Sequence, residues 1–425
     1  MITRAALLST GDELTTGRIA DTNAQWLADK LFECGVEVVC TLVVGDFPER
    51  LAWAWRQALA QADLVISTGG IGPTADDLTT ETVAGVLGVG LVMHEPSADR
   101  MRRFFASRGV DPMPENNLKQ AMIPAGAVVV DNALGTAPGY RAATPDGRHL
   151  VVLPGVPREM KPMVEERVLP WIRAQRGGEV YLARTFQTFG ISESGLDQLV
   201  AGVVADDEGR VSFRASFPEV SLRVVVHGAP DVAAARLAAV GDRLRERLGE
   251  YCYGEDALTM EQAVGDALTA RAWSVAVAES CTGGLVGHRL TNVPGSSAYF
   301  VGGVQAYADA TKERLLGVPS DVLARHGAVS EETARAMAEG ARRALGADVA
   351  VSITGIAGPD GGTPEKPVGL VCFGLASSAG TVSATHRLWG TRDWVKLLAS
   401  QIALDLLRRH ALGLPAHDAT LFRRR

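Results

Sequence analysis

The sequence has little of what marks a secreted, zinc-stapled or membrane-spanning protein. Its five cysteines, Cys34, Cys40, Cys252, Cys281 and Cys372, are odd in number and scattered along 425 residues. None is spaced as CxxC, so neither a disulfide framework nor a structural zinc site is expected. No run approaches the ~18 consecutive apolar residues of a membrane span. The apolar run near the N-terminus is too short for a secretion signal, which makes the cytoplasm the expected compartment. A basic excess is also missing. Forty-two Lys and Arg against 49 Asp and Glu leave a net charge of −7. That balance argues against a general nucleic-acid binder, though not against a local basic patch. The closing Arg423-Arg424-Arg425 reads as a frayed basic tail.

What is present is a globular composition, with 47% hydrophobic and 21% charged residues. The length suits two or three domains. In the first stretch, apolar runs at 5–8, 36–44, 63–67 and 149–153 read as strands. They alternate with helical spacing at 23–34 and 51–60, and a further helix is expected to start near Asp77. This β-α-β order implies a doubly wound α/β unit with a parallel sheet covered on both faces, closing near Trp171. Residues 180–248 read as a small α+β unit, with strands at 211–213 and 220–226 and a charged helix at 232–248. It shows no catalytic cluster and no Gly-x-x-Gly clamp, so RNA binding is not expected. A third α/β unit begins near Thr259. Helices are expected at 260–270 and 394–409, and strands at 275–278, 348–354, 368–375 and 382–388. The boundaries fall at 1–172, 178–250 and 258–412.

Two loops at strand ends carry the N-terminal chemistry. Gly69, Gly70, Gly72 and Thr74 lie between a strand and a helix, where bare backbone N–H groups and a helix N-terminus favour a phosphate. Asp76 and Asp77 in the same loop suit a bridging divalent cation, or simply cap the helix. Gly11-Asp12-Glu13-Leu14 follows another strand, and parallel strands bring such ends to one crevice. Asn116, Asn117, Lys119 and Gln120 form a polar cluster, and Pro154–Met160 opens a helix at a further strand end. With Asp21-Thr22-Asn23 and Gly135–Gly139, these stretches resemble the molybdopterin-binding-like domain of the CinA family. The resemblance implies a metal-dependent ADP-ribose pyrophosphatase yielding AMP and ribose 5-phosphate. Asp12, Asp76 and Asp77 would then hold the divalent metal (Mg, Mn or Co), with potassium a further candidate. Gly69, Gly70, Gly72, Thr74, Lys119 and Glu159 would line the substrate, with Lys119 neutralising phosphate.

In the third unit, Ala278-Glu279-Ser280-Cys281-Thr282-Gly283-Gly284 puts a hydroxyl at a strand-to-helix turn, where N–H groups converge. Ser280 or Thr282 is there either as chemistry or as a cap for the helix near Gly283. No Asp–His pair offers itself as a base. Lys312, in Tyr307-Ala308-Asp309-Ala310-Thr311-Lys312, can take that place where burial favours the neutral amine, and Tyr307 can relay a proton or orient it. These stretches, with Gly295-Ser296-Ser297, His326–Ser330 and Ser352–Gly369, resemble the nicotinamide-nucleotide amidase domain of the same family. The resemblance places the family's Ser, Tyr and Lys on Ser280, Tyr307 and Lys312. It implies hydrolysis of nicotinamide mononucleotide to nicotinate mononucleotide and ammonia, with no cofactor in this half. Thr282, Gly283, Gly284, Ser296, Gly355, Gly358, Gly361 and Arg392 would contact that substrate. Where the family often has Gly-Asp-Arg, this chain has Gly390-Thr391-Arg392. The resemblance also implies a KH-type middle domain, suited to spacing or dimerisation, and a homodimer. The competing readings are a non-catalytic adaptor in competence or DNA repair, which the acidic pI opposes, and a molybdopterin-binding protein.

Overall fold

The computed structural model describes residues 2–175 and 179–415, so the Arg423–Arg425 tail lies outside the described residues. The chain forms two compact units. Residues up to Ala183 make one together with Val226–Leu237, and Arg184–Val225 with the residues from Ala238 onward make the other.

The first unit holds β1 (Arg4–Thr10), β2 (Glu37–Val44), β3 (Leu64–Thr68), β4 (Leu91–Met93), β5 (Met122–Pro124), β6 (Val128–Val130), β7 (Gly139–Ala143) and β8 (His149–Leu153). Six of them form a sheet in the order β2-β1-β3-β8-β7-β6, and β4 pairs with β5 apart from it. The strands expected from sequence, β1, β2, β3 and β8, are the parallel ones; β7 runs antiparallel to β8, and β6 antiparallel to β7. Only residues 131–138 join β6 to β7, too few for the dozen or more that a parallel crossover needs. Alternate residues of β1 feed opposite cores. Ala5 and Leu7 pack with the Thr22–Glu33 helix (Leu27, Leu31), while Ala6 and Leu8 pack with the Pro48–Gln61 helix (Leu51, Trp55). Both faces are therefore covered, which is why the strands read as unbroken apolar runs.

The middle strands are β9 (Val180–Thr188), β10 (Arg210–Ser216), β11 (Glu219–Gly228) and β12 (Cys252–Glu255), in the order β10-β11-β9-β12. Ser216 pairs with Glu219, so β10 and β11 close a hairpin on a two-residue tip, Phe217-Pro218.

The last sheet comprises β13 (Val275–Glu279), β14 (Phe300–Gln305), β15 (Val349–Gly355), β16 (Leu370–Ser377) and β17 (Gly380–Arg387), in the order β14-β13-β15-β16-β17. The first three are parallel and the last two antiparallel. Edge strand β14 escapes the sequence reading because Gly302-Gly303 weakens its strand signal. One face packs on the Met260–Ala270 and Arg392–Leu412 helices through Val264, Leu268, Leu398 and Ile402. The other packs Ala276 and Ala278 against Leu316 and Met337, from the Asp309–Leu316 and Glu331–Leu345 helices. Those two helices touch without a spacer: a Cβ at Gly340 would run into the Leu316 carbonyl. Among the described residues, no helix is long and apolar enough to cross a membrane.

Candidate functional sites

In the C-terminal sheet, β13, β14 and β15 end at one edge, and so does β17, while β16 begins there. Register fixes what meets. Glu279 pairs with Gln305 and Ile353. One residue on, Ser280 N–H donates to Ile353 O (2.9 Å), and Ala306 N–H donates to Glu279 O (2.8 Å). Ser280 therefore leaves β13 beside the point where Ala306-Tyr307 leaves β14. Lys312, only 1% exposed, returns to that point: its Nζ donates to Tyr307 O and to Asp309 Oδ1, both at 3.2 Å. The Asp309 contact is an ion pair between the buried amine and a carboxylate on the exposed side. The tyrosine positions the lysine through its carbonyl. Its phenol, on a side of the residue that is 64% exposed overall, accepts from Arg392 Nη2 at 3.0 Å. Arg392 Nη1 donates to Gly358 O at 2.8 Å, tying the loops after β14, β15 and β17 together.

Neither Ser280 nor Thr282 caps the following helix, which starts at Leu285 with Gly284 as N-cap and no side-chain cap bond. The cap is Glu279. This carboxylate, 1% exposed, accepts from the N–H groups of Gly284 (3.0 Å), Val286 (3.2 Å) and Gly287 (2.9 Å). The helix N–H groups expected to face an oxyanion are thus occupied. Thr282 Oγ1 is buried with no hydrogen-bond partner among the described residues, a donor in the same turn with nothing to hold. Burial pushes the Cys281 thiol up to about 12, so it is no thiolate rival to Ser280. Thr391, in the place of the family's Asp, is the N-cap of the Arg392–Leu412 helix, its Oγ1 accepting from Trp394 N–H at 3.4 Å. Gly283 lies in the Ser280 turn, and Gly355 and Gly361 flank Gly358 at the end of β15. Ser296 is the exception. It precedes Phe300 at the opposite, amino end of β14, a strand of six residues, or roughly 20 Å, away.

At the carboxyl ends of β1, β2 and β3 in the first unit, the two loops do converge. Gly69 and Gly70 (φ +100° and +66°) turn against Thr10, whose carbonyl would lie 2.6 Å from a Cβ at 69. The helix after this loop begins at Thr79, two residues beyond Asp77. Asp77 is drawn backwards: its Oδ2 accepts the Thr74 N–H (2.8 Å) and hydroxyl. It neither caps the helix nor faces outward, and a Cβ at Gly72 would sit 2.6 Å from it. Lys119 braces the loop, donating to Thr74 O (3.0 Å) and Asp77 O (2.6 Å) and pairing with Glu81 at 3.4 Å. Glu159 accepts from Asn132 Nδ2 at 2.8 Å and so supports the 132–137 loop.

Sequence reading missed Asp46. It exchanges backbone-to-carboxylate bonds with Asp12 (3.2 and 3.3 Å). Burial raises its pKa, the Asp12 N–H opposes that, and repulsion from Asp12, Glu13 and Asp76 adds to the rise. Asp76 is solvent-facing, and a Thr74 hydrogen bond holds it below the usual carboxylate range. Among the described residues, no three His, Cys, Asp or Glu side chains form a ready metal cage. The hard oxygens of Asp12, Asp46 and Asp76 nevertheless suit a divalent cation, which would relieve their repulsion. Asp77, already committed to Thr74, does not fit that set.

Three family models cover the chain: a probable molybdopterin binding domain matches residues 6–174, the KH domain of damage-inducible protein CinA matches 183–254, and the CinA C-terminal domain matches 257–411. A CinA-like protein of Anaeromyxobacter dehalogenans is 47% identical over 405 residues, 95% of this chain and 98% of that protein. The chain belongs to the CinA family. A CinA-like protein of Geotalea uraniireducens is 41% identical over 420 residues, 98% of this chain and 100% of that one. The crystal structure of a CinA protein of unknown function from Thermoplasma acidophilum is 34% identical, covering 40% of this chain and 98% of that chain at a TM-score of 0.37. The CinA-family resemblance drawn from sequence motifs is thus met over nearly the whole chain, with mixed α/β units at both ends and a KH-type segment between.

Proposed function

We propose that the C-terminal domain hydrolyses the carboxamide of nicotinamide mononucleotide, giving nicotinate mononucleotide and ammonia. The reading is supported by Ser280 leaving β13 beside the strand end that carries Tyr307, whose carbonyl accepts from the buried Lys312 amine. Ser280 Oγ attacks the carboxamide carbon while Lys312 accepts the hydroxyl proton. The oxyanion forms within reach of the turn, where Thr282 Oγ1 is the unused donor. Lys312 returns the proton to the departing nitrogen, and ammonia leaves an acyl-serine. Water attacks that ester, giving up its proton to Lys312, and Ser280 Oγ is released and reprotonated. Arg392, with three N–H bonds still free beyond Tyr307 and Gly358, offers a cationic partner for the nucleotide phosphate.

The test is ammonia release from nicotinamide mononucleotide by the full chain. Ser280→Ala is expected to lower the rate by about 10³-fold or more, and Cys281→Ser by no more than about threefold. Equal rates for wild type and Ser280→Ala would instead favour the adaptor reading.

For the N-terminal domain, we propose hydrolysis of the pyrophosphate of ADP-ribose by water to AMP and ribose 5-phosphate, supported by the carboxylates gathered beside a glycine-rich strand-end loop. Asp12, Asp46 and Asp76 would hold a divalent cation, which would neutralise pyrophosphate charge when bound. Gly69 and Gly70 let the loop turn tightly against Thr10 and Thr79, and Lys119 keeps the loop in shape. Copurified pterin with no AMP formed from ADP-ribose would favour the molybdopterin reading. We place the domains at 1–172, 178–250 and 258–412, in a cytoplasmic homodimer.

A further inference from the structure

The amidase reading leaves the middle segment without a task, yet its hairpin tip reaches the loop that carries Arg392. Phe217 stacks on Trp394, with ring centroids 4.3 Å apart and planes 20° from parallel, and lies 5.8 Å from Trp389. The two indoles meet edge to face at 5.4 Å. Between them in sequence run Gly390, Thr391 and Arg392. Gly390 has a φ of +102°, and a Cβ there would lie 3.0 Å from the Trp394 ring, so the backbone passes directly against the stacked aromatics. The hairpin is anchored on its far side as well. Glu219, the first residue past the tip, accepts from Gln401 Nε2 at 2.7 Å, and Gln401 Oε1 in turn accepts from Arg289. Both anchors grip the Arg392–Leu412 helix, one at its first turn and one at its middle.

We propose that this hairpin tip sets the affinity of the amidase centre for its nucleotide: Phe217, seated against Trp389 and Trp394, holds the Gly390–Arg392 loop so that Arg392 stays on Tyr307 Oη and Gly358 O. The proposal rests on the amidase reading for its substrate, an anionic nucleotide that uses the guanidinium. Phe217 touches no reacting atom and is a positioning residue that acts through Arg392. Two aromatic contacts and the aim of one arginine correspond to a change of about three- to tenfold in affinity.

The experiment uses the full chain and measures nicotinamide mononucleotide turnover, with calorimetric binding of the same nucleotide in a Ser280→Ala background. Phe217→Ala is expected to raise KM and Kd by about three- to tenfold and to change kcat by less than about twofold. Phe217→Tyr restores the wild-type values, because the stacked ring returns. In an Arg392→Ala background, Phe217→Ala adds nothing further, as required of a residue acting through Arg392. Should Phe217→Ala fail to fold, Phe217→Leu keeps the apolar seat without the ring and carries the same expectation. A lower melting temperature with KM and Kd unchanged marks a merely structural role and overturns the proposal, as does a full Phe217 effect without Arg392. The two readings fail separately. No ammonia from the wild type, with nucleotide binding still weakened by Phe217→Ala, sinks the amidase and spares the hairpin; normal turnover with no Phe217 effect sinks only the hairpin.

Discussion

The two candidate sites occupy the same address in their sheets, the carboxyl ends of parallel strands, but they are built in opposite ways. At the C-terminal site the polar groups are buried and already answered: Glu279 by three N–H groups, Lys312 by two acceptors. At the N-terminal site like charges are gathered, with the Asp46 pKa raised first by burial and then by repulsion from Asp12, Glu13 and Asp76. The first arrangement holds its turn and its lysine with internal partners and leaves Thr282 Oγ1 unpartnered among the described residues and Arg392 exposed for a ligand. In the second, Lys119 is a nearby cation for Asp76, and a bound metal would further offset the like charges. Burial thus goes with polar groups already held in place, exposure with groups whose arrangement a ligand would complete.

The sharpest way to break this contrast is at Glu279. Glu279→Gln turns one acceptor into a donor facing backbone N–H groups, leaving buried donors unsatisfied at about 1–3 kcal/mol. We expect kcat for ammonia release to fall about 10- to 100-fold with KM little changed, while Glu279→Asp recovers less than full activity because it is one methylene short. AMP formation from ADP-ribose should be untouched. A Gln variant with wild-type kcat would show that the cap does not govern the Ser280 turn.

The N-terminal half is sharpened by splitting its neighbouring aspartates. Asp76→Asn should lower metal-dependent ADP-ribose hydrolysis by about tenfold or more at an unchanged melting temperature. Asp77→Asn should instead lower the melting temperature by a few degrees, since Thr74 loses a charged acceptor worth about 1.5–3 kcal/mol. The reverse pattern would return Asp77 to the metal set.

The smallest effect concerns pH. Asp46 has a raised pKa, so its charged form is disfavoured in the fold and its ionisation weakens stability once pH rises through the carboxylate range. Asp46→Asn should therefore melt slightly higher than wild type at neutral pH. The gain should vanish below about pH 4, where Asp46 is protonated in folded and unfolded chains alike. Added Mg²⁺ or Mn²⁺ should stabilise the wild type and not the variant, closing the gap from the other side. Thermal melts across pH, with and without metal, decide it.

Much of this was legible in the sequence because both sites hang on short apolar strands that end in glycine-rich turns. Ser280, Tyr307, Lys312 and Arg392 stand in the motifs that carry the family resemblance, and hydrogen bonds join Lys312 to Tyr307 and Tyr307 to Arg392 near the edge where Ser280 leaves β13. What sequence left out depends on direction and register. Ser296 belongs to a recognisable motif, but only the parallel pairing of β13 with β14 reveals that it sits at the other end of the sheet. Asp46 lies in no motif, and it matters because β2 and β1 end together. Asp76 and Asp77 look equivalent on paper. A backward turn to Thr74 separates them, and such turns are settled by local hydrogen bonding that composition does not encode. Glu279 was in plain view, yet its task became visible only once the helix was seen to begin at Leu285.

Gly340 has a bearing on the lysine that lies one helix away from it. Lys312 and Leu316 are successive rungs of one short helix, and the Leu316 carbonyl rests where a side chain at 340 would begin. The depth at which the Lys312 amine is held beside the Tyr307 carbonyl is therefore gauged from behind. The gauge is a bare hydrogen on a neighbouring helix that never meets the substrate.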